Sequence, residues 1–481
     1  MKKLIIICTL FSAIFSLQAQ ELATVKAVPA NDFLKTIGVN TAINERGEQY
    51  VKTRACAEYL GFRYIRMGVF PYLYQLAELY DDFHIRFSIM LGTVDAIPTT
   101  IDFGRRIVQQ VSPDAFIAFE GCNEPNNWGI SYNGEKSGGF QSEGKTYPYI
   151  GLAKYHRDFY TAVKADPVVG SYPVWSSTDA GGAQEQNVGL QFIEVPAGVA
   201  RGGSMGVDPL IEDETKFADV ATVHNYFSRW TSRVNNHTWM AADPLNTTVN
   251  SLKSNFGTTW RNHYEGYTDE QLVALPRVTT ETGATIDNYE YSEEYQGLTY
   301  LSCYLAQFKQ GFQYTAMYIM RDRTDESGNQ TYGFYKGDYT PRLSAHYLHN
   351  LTSVLADYPS IENPGELAYG IQAAADSPNS DISTVHDFLL QKNNGVMYLV
   401  VWGERYQRSS KADKIEVRFG KTLGKVNVYS PAQYDASKPD AGVKPVATYE
   451  NTDVINLEVL NRPFILEINP VETAISTVET T

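Results

Sequence analysis

The chain has 481 residues, which indicates two or three domains, and its 43% hydrophobic and 20% charged residues exclude a disordered or fibrous protein. Its net charge of −15 argues against a nucleic-acid partner, because phosphate binding requires a basic surface. Aromatic residues make up 13% of the chain, enough for a large aromatic core and for exposed aromatic platforms.

The N-terminus has the pattern of a secretory signal peptide over residues 1–20. Lys2 and Lys3 precede a mostly apolar stretch from Leu4 to Leu17, and a small-residue exit follows it. No other stretch is long and apolar enough to span a bilayer. We therefore expect cleavage of this segment and a periplasmic or secreted mature protein.

Strand-like runs alternate with helical patterns from residue 32 to residue 355. The predicted strands cover 36–40, 63–67, 85–90, 115–119, 168–175, 220–226, 277–283 and 315–320. Helical patterns fall between them, for example at 46–60, 99–111, 149–165 and 290–310. Eight strands in this alternation predict an α/β fold, a closed (β/α)8 TIM barrel over residues 21–355.

From about residue 356 the helical periodicity stops and short alternating runs begin, which predicts an antiparallel β-sandwich over 356–470. Residues 471–481 form a polar tail that we expect to be mobile. Removal of the signal peptide leaves Cys56, Cys122 and Cys303, so at most one disulfide can form. Their spacing fits no zinc site, and we predict neither a metal nor a cofactor.

The most informative motif follows the fourth predicted strand. Asn123, Glu124 and Pro125 form a stiff turn at its end, and this places an amide beside a carboxyl group. Glu281 ends the seventh predicted strand in the same way. His224 and Tyr226, two residues apart on the sixth strand, point the same way. An amide that holds a sugar hydroxyl, next to paired carboxyl groups, suits glycosidic bond chemistry.

This set of residues resembles that of the retaining glycoside hydrolases of clan A. The Asn-Glu-Pro-Asn motif is most similar to family 39 and more loosely similar to family 5. The resemblance covers roughly residues 32–350. It implies that Glu124 is the acid/base and Glu281 the nucleophile of a double displacement on a β-glycosidic bond. As acid/base, Glu124 should have a raised pKa.

Further roles follow from the resemblance and from strand position. Asn123 should bind the sugar 2-hydroxyl, and Arg66 should keep Glu281 ionised. Glu120 shares the inward face with Glu124 and is expected to pair with Arg66 or with another buried donor rather than to act as a catalyst. His224 and Tyr226 are expected to face the site, with a satisfied polar core pair as the alternative. Candidates for sugar stacking, which are equally ordinary core residues, are Trp128, Trp175 and Trp230.

Three positions depart from the clan pattern. Where many members have a Trp at the end of strand 8, this chain has Met320 to Arg323, and Cys122 replaces an aromatic residue before Asn123. Thr-Gly follows Glu281 where family 39 tends to have an aromatic residue. Arg321 and Arg323 could meet a substrate carboxylate or sulfate, or form salt bridges with Asp322 or Asp325. Cys122 is expected to be a buried wall residue rather than a catalytic thiol.

The sequence therefore predicts a monomeric, secreted glycoside hydrolase whose partner is a glycan substrate. Long loops such as 129–147 and 179–214 are expected to form walls of its cleft. Two alternatives remain open. One is a carbohydrate-binding protein on a hydrolase scaffold that has lost activity, and the other is a barrel enzyme of different chemistry. The sequence does not distinguish endo from exo action.

Overall fold

The computed structural model describes residues 22–91, 96–178, 215–227, 234–246, 267–286, 292–323, 325, 331–437 and 442–469. The predicted signal peptide and Trp230 lie outside these ranges, as does the predicted tail. Within the ranges, none of the helices has the length and apolar character of a membrane-spanning segment.

Eight parallel strands form the barrel, as predicted. They are Ile37–Asn40, Tyr64–Met67, Arg86–Leu91, Phe116–Cys122, Val174–Trp175, Ala221–Phe227, Arg277–Ala284 and Phe312–Met317, called barrel strands 1 to 8 below. Strand 8 pairs with strand 1, and each strand from 1 to 4 pairs with the next. Strand 5 meets the start of strand 6 through a bridge between Trp175 and Val220, so the sheet is nearly closed.

Two barrel strands differ from the prediction. Strand 5 was expected from residue 168, but residues 168–172 form turns because the Asp166 carboxylate accepts hydrogen bonds from the backbone N–H groups of Val168 and Val169. Only Val174–Trp175 pairs in the sheet. Strand 8 was expected to reach residue 320, but it ends at Met317. This second difference changes which residue stands at the catalytic end of the barrel.

Helices surround the barrel because their apolar faces cover the outward side chains of the strands. They run over Ala30–Thr36, Tyr50–Leu60, Leu73–Phe83, Ile97–Gln110, Ile150–Lys164, His237–Ala242, Asp269–Ala274, Glu293–Lys309 and Leu343–Leu355. The Ser292 side chain caps the helix Glu293–Lys309 by accepting a hydrogen bond from the N–H of Tyr295. Almost all of this helix is buried, because it packs between the barrel and the second domain.

The second sheet is mostly antiparallel, as expected for the predicted sandwich. Its strands are Ala23–Lys26, Val28–Pro29, Glu366–Ala373, Val385–Gln391, Met397–Gly403, Asp413–Tyr429, Ala447–Val459 and Pro463–Ile468. The runs predicted at 414–419 and 425–429 are one long strand with an irregular register in the middle. The chain enters this sheet before it enters the barrel, a pairing that the assignment of residues 21–355 to the barrel did not include.

The two parts share one hydrophobic core. Phe388 of the second sheet packs against Phe33 and Phe308 of barrel helices, with ring centroids 5.4 and 5.2 Å apart. Trp402 joins the same core and is fully buried. The second sheet thus fixes the outer helices of the barrel.

Candidate active site

The two predicted catalytic glutamates meet at the carboxyl ends of the barrel strands. Glu124 directly follows strand 4, and Glu281 lies within strand 7. Glu281 is in register with His224 of strand 6. One carboxylate oxygen of Glu124, one of Glu281 and one ring nitrogen of His224 all lie within 4.8 Å of one another. This matches the separation of about 5 Å that a double displacement requires between its carboxyl groups.

Glu281 is held by two donors on opposite sides. The Arg66 guanidinium donates to Oε1 at 2.5 Å, and the Tyr226 hydroxyl donates to Oε2 at 2.6 Å. Its side chain is only 12% exposed. Both oxygens of Glu281 thus accept a hydrogen bond, one of them from a cation, and such charge-assisted bonds fix the position of the carboxyl group.

Glu120 completes the arrangement around Arg66, as expected from the sequence. It is fully buried, and Arg66 donates to its two oxygens at 2.6 and 2.8 Å. Thr178 and Thr280 each donate to Oε1 at 2.9 Å. These hydrogen bonds fix the Glu120 carboxyl group, which has no access to solvent. Glu120 therefore positions Arg66. It is out of reach of a substrate.

Asn123 is oriented by the same guanidinium. Its side-chain Oδ1 accepts a hydrogen bond from Arg66 at 3.0 Å. Arg66 therefore contacts Glu120, Glu281 and Asn123 at once, which a planar, five-donor group can do. This contact fixes which way the Asn123 amide faces, and an amide fixed in this way can bind a hydroxyl in one defined orientation.

Glu124 sits on a sharp turn with a left-handed backbone, φ 43°. Its N–H donates to the carbonyl of Thr178 at 2.7 Å, and its carboxyl group contacts His224 Nδ1 at 2.9 Å and Asn127 Nδ2 at 3.2 Å. The non-glycine backbone at positive φ aims the side chain toward His224 at the centre of the barrel mouth.

The prediction that Glu124 has a raised pKa is wrong. Burial raises the pKa of this carboxyl group, but hydrogen bonds from His224 and Asn127 together with the charges of His224 and Arg66 outweigh burial and lower the pKa below its ordinary value. His224 is the cause that the sequence did not reveal. Its alignment depends on the pairing of strands 6 and 7.

His224 lies between the two glutamates and is fully buried. Its Nδ1 is 2.9 Å from Glu124 and 3.5 Å from Glu281, and its Nε2 is 3.2 Å from the Thr280 hydroxyl. One atom from each of Glu124, His224 and Glu281 could together hold a metal ion, since the three atoms lie close enough together. However, the Arg66 guanidinium already contacts Glu281 and would repel a cation there. The donor set fits a shared proton better than a metal.

The other predicted site residues have mixed outcomes. Trp175 is fully buried beside Tyr64 in the lower barrel, so its predicted stacking role is wrong. Trp128 is 57% exposed near Glu124. Arg321 is buried, donates to the Gly337 carbonyl at 2.8 Å and lies over the Tyr339 ring, so it does not present its charge to a substrate.

Salt bridges near Arg321 were the alternative to substrate binding, and two are present. One has the partner that was expected and the other does not. Arg323 pairs with Asp325 at 2.6 Å, as that reading expected. Asp322 pairs instead with Arg342 at 2.7 Å.

Sequence reasoning missed an aromatic group beside Tyr226, the residue that donates to Glu281. Because strand 8 ends at Met317, the residue that follows its end is Tyr318 rather than Arg321. The Tyr318 ring lies 6.1 Å from that of Tyr226, and Tyr332 lies 5.4 Å from Tyr226. The signal was available, since Tyr318 follows an apolar run. The aromatic residue thought to be absent from the end of strand 8 is therefore a tyrosine.

The three cysteines are free and buried. Burial raises the pKa of the Cys122 thiol to about 12, so it is not a thiolate at neutral pH. This agrees with a wall residue and removes the basis for a catalytic thiol.

No protein-family model matches the sequence, and no curated protein matches it. Solved structures do share its fold. A family 39 glycoside hydrolase from the gut symbiont Bacteroides cellulosilyticus WH2 is 15% identical, covers 92% of this chain and 83% of its own, and has a TM-score of 0.52. CelM2, a bifunctional glucanase-xylanase from a metagenome library, is 11% identical over 93% of this chain and 99% of its own, also at 0.52. The chain therefore shares the fold of these two structures, and in this chain that fold is a (β/α)8 barrel with a β domain.

Proposed function

We propose that the protein is a secreted retaining glycoside hydrolase that cleaves β-glycosidic bonds of an oligosaccharide or polysaccharide. The observation that carries the proposal is the approach of Glu124 and Glu281 at two strand ends, with Arg66 and Tyr226 bound to Glu281. The shared fold with the structures described above supports the same proposal.

In this mechanism Glu281 attacks the anomeric carbon while the leaving oxygen takes a proton from the Glu124 side. Arg66 and Tyr226 hold the Glu281 carboxyl group in place, each through a hydrogen bond to one of its oxygens. Water then attacks the glycosyl-enzyme, and Glu124 takes a proton back. Two inversions retain the anomeric configuration.

The proton that Glu124 donates belongs to the pair of Glu124 and His224. Burial raises the pKa of Glu124, but hydrogen bonds from His224 and Asn127 and the charges of His224 and Arg66 lower it further than burial raises it. While Glu281 carries its negative charge, that charge favours a proton on the neighbouring Glu124 carboxyl group. When Glu281 loses its charge to the sugar, Glu124 gives the proton more readily to the leaving oxygen.

Asn123 and Tyr318 complete the site for the reacting sugar. The Asn123 amide, held by Arg66, is placed to bind the 2-hydroxyl, an interaction that strengthens in the transition state. Tyr318 supplies an aromatic face beside Tyr226 in place of the expected tryptophan. The complete donor set argues against the alternative of an inactive carbohydrate-binding protein.

The test is a screen of residues 21–481 against β-glucans, xylans, mannans, galactans and algal polysaccharides, with products separated by size. We expect one polymer class to be cleaved. Glu281→Ala should lose turnover and regain part of it with azide, giving an inverted glycosyl azide. Glu124→Ala should act only on substrates with good leaving groups. Binding without products in the wild-type protein would favour the inactive binding protein instead.

A further inference from the structure

Two large aromatic side chains are exposed on the segment that follows the proposed acid/base. Trp128 is 57% exposed and Phe140 is 46% exposed. Trp128 ends the helix Pro125–Trp128, and its N–H donates to the Glu124 carbonyl at 2.9 Å. The Asn127 N–H also donates to this carbonyl at 2.9 Å. Trp128 is therefore attached to the same turn as Glu124.

Backbone contacts lock these two aromatic residues into one structure. Gly129 and Gly139 have left-handed backbones, and a Cβ on Gly129 would lie 2.8 Å from the Cα of Gly139. The Gly139 N–H donates to the Pro125 carbonyl at 2.9 Å. Trp128 and Phe140 are the next residues along the chain from this contact. Only glycine permits so close an approach, so the two side chains are held on neighbouring backbone segments.

The remainder of the loop is ordered around the same contact. Ile130–Tyr132 and Glu135–Ser137 form a small hairpin, and the Ser142 hydroxyl donates to the Trp128 carbonyl at 2.8 Å. A Cβ on Gly138 would lie 1.8 Å from the Pro125 carbonyl oxygen. The aromatic residues are thus presented to solvent from a fixed backbone, which costs hydrophobic free energy unless a ligand covers them.

We propose that Trp128 and Phe140 form the binding site for the leaving-group sugar, so that the enzyme cleaves bonds between sugars within a chain. The inference rests on the proposed function. The acid/base donates its proton to the oxygen that joins the reacting sugar to the leaving one, so the leaving sugar must lie beside Glu124. Aromatic faces bind the C–H face of a pyranose by apolar contact, and Trp offers the largest such face.

The experiment compares two leaving groups. Trp128→Ala is assayed on whichever polymer the wild-type protein cleaves (β-glucan, xylan, mannan or galactan) and on the β-glycosyl fluoride of the same sugar. Fluoride is too small to reach the aromatic residues. We expect kcat/KM on the polymer to fall at least tenfold and the rate on the fluoride to stay unchanged. Trp128→Phe, which keeps an aromatic face, should retain most of the polymer activity.

Tyr358→Ala is the matched control, because Tyr358 is also 57% exposed and stacks on His84 outside the proposed site. It should change neither rate. Equal losses of Trp128→Ala on polymer and fluoride, or no loss on either, would overturn the leaving-group site while leaving the proposed function intact. A folded wild-type protein that turns over no glycosyl fluoride and no polymer would overturn the proposed function, and this inference with it.

Discussion

Two fully buried glutamates of this protein, Glu120 and Glu404, have opposite surroundings. Glu120 lies in what we call the Arg66 cluster (Arg66, Glu120, Asn123 and Glu281), where one guanidinium contacts two carboxylates and an amide. Glu404 belongs to the second domain, in the Glu404 cluster (Glu404, Thr238, Trp239 and Trp402). Three N–H groups donate to Glu404 at 3.0–3.2 Å: those of the Thr238 backbone, the Trp239 backbone and the Trp402 indole. The Thr238 hydroxyl also donates to Glu404.

The difference is the presence of a cation. In the Arg66 cluster each negative charge is offset by a guanidinium within 2.8 Å, so charge is available for chemistry in a buried site. In the Glu404 cluster the donors are neutral, and burial raises the pKa of Glu404 to about 7 despite them. The first cluster therefore suits catalysis. The second ties the segment after barrel strand 6 to the second sheet.

The largest expected effect comes from removal of the cation. Arg66→Met should reduce the free energy of unfolding by about 3–5 kcal/mol, because it leaves two buried carboxylates unpaired. It should also lower kcat/KM about 100- to 1,000-fold through loss of a preorganised charge. Urea unfolding and steady-state kinetics measure the two effects. Arg54→Met, at an ion pair that is 37% and 46% exposed, should cost less than about 1 kcal/mol. Equal behaviour of the two variants would refute the role of Arg66.

A smaller effect is expected from loss of one hydroxyl at the nucleophile. Tyr226→Phe removes the 2.6 Å hydrogen bond to Glu281 while it keeps the ring. A hydrogen bond to a charged group contributes about 1.5–3 kcal/mol, so kcat should fall roughly 10- to 150-fold. Tyr50→Phe removes a similar bond to Glu78 on the surface and should leave kcat unchanged. A Tyr226→Phe enzyme with the wild-type kcat would show that this contact is not part of catalysis.

The smallest effect on activity is expected in the Glu404 cluster. The folded protein holds a proton on Glu404 up to about pH 7, whereas the ordinary pKa is 4.5. The contribution of Glu404 to stability is therefore complete below pH 4.5 and is lost as the pH rises through about 7. Relative to Glu404→Gln, which cannot ionise, the wild-type free energy of unfolding should fall by on the order of 3 kcal/mol between pH 4.5 and 8.

Urea unfolding at several pH values measures this difference, and Glu458→Gln, at an exposed glutamate, is the control. A difference between Glu404→Gln and the wild type that does not vary with pH would mean that folding does not raise the pKa of Glu404. The turnover of Glu404→Gln should stay within a few-fold of the wild type at a temperature where both proteins are folded.

The barrel could be predicted, and so could the positions of Glu124, Glu281 and Arg66 in it. Each of these residues stands at the end of a branched or aromatic run, and the period of two along a strand gives the inward direction of its side chain. The depth of a side chain in the barrel could not be predicted. Trp175 belongs to a strand of only two paired residues and faces the lower core, and a strand end shifted by three residues concealed Tyr318.

Long-range pairings were also beyond the sequence. The contact of Glu404 with Thr238 joins residues 166 positions apart, and the low pKa of Glu124 depends on the register of His224. Neither is encoded in local periodicity. Local pattern therefore located the residues proposed to be catalytic, whereas tertiary pairing sets the pKa of Glu124.

The central claim is that Glu281 is the nucleophile, and trapping of the covalent intermediate tests it most directly. The protein is incubated with the 2-deoxy-2-fluoro-β-glycosyl fluoride of the sugar found in the screen, then digested with trypsin and analysed by mass spectrometry. We predict one fluoroglycosyl group on the peptide 278–309, located at Glu281. Turnover of the fluoride with no trapped adduct, or an adduct on another residue, would contradict the assignment.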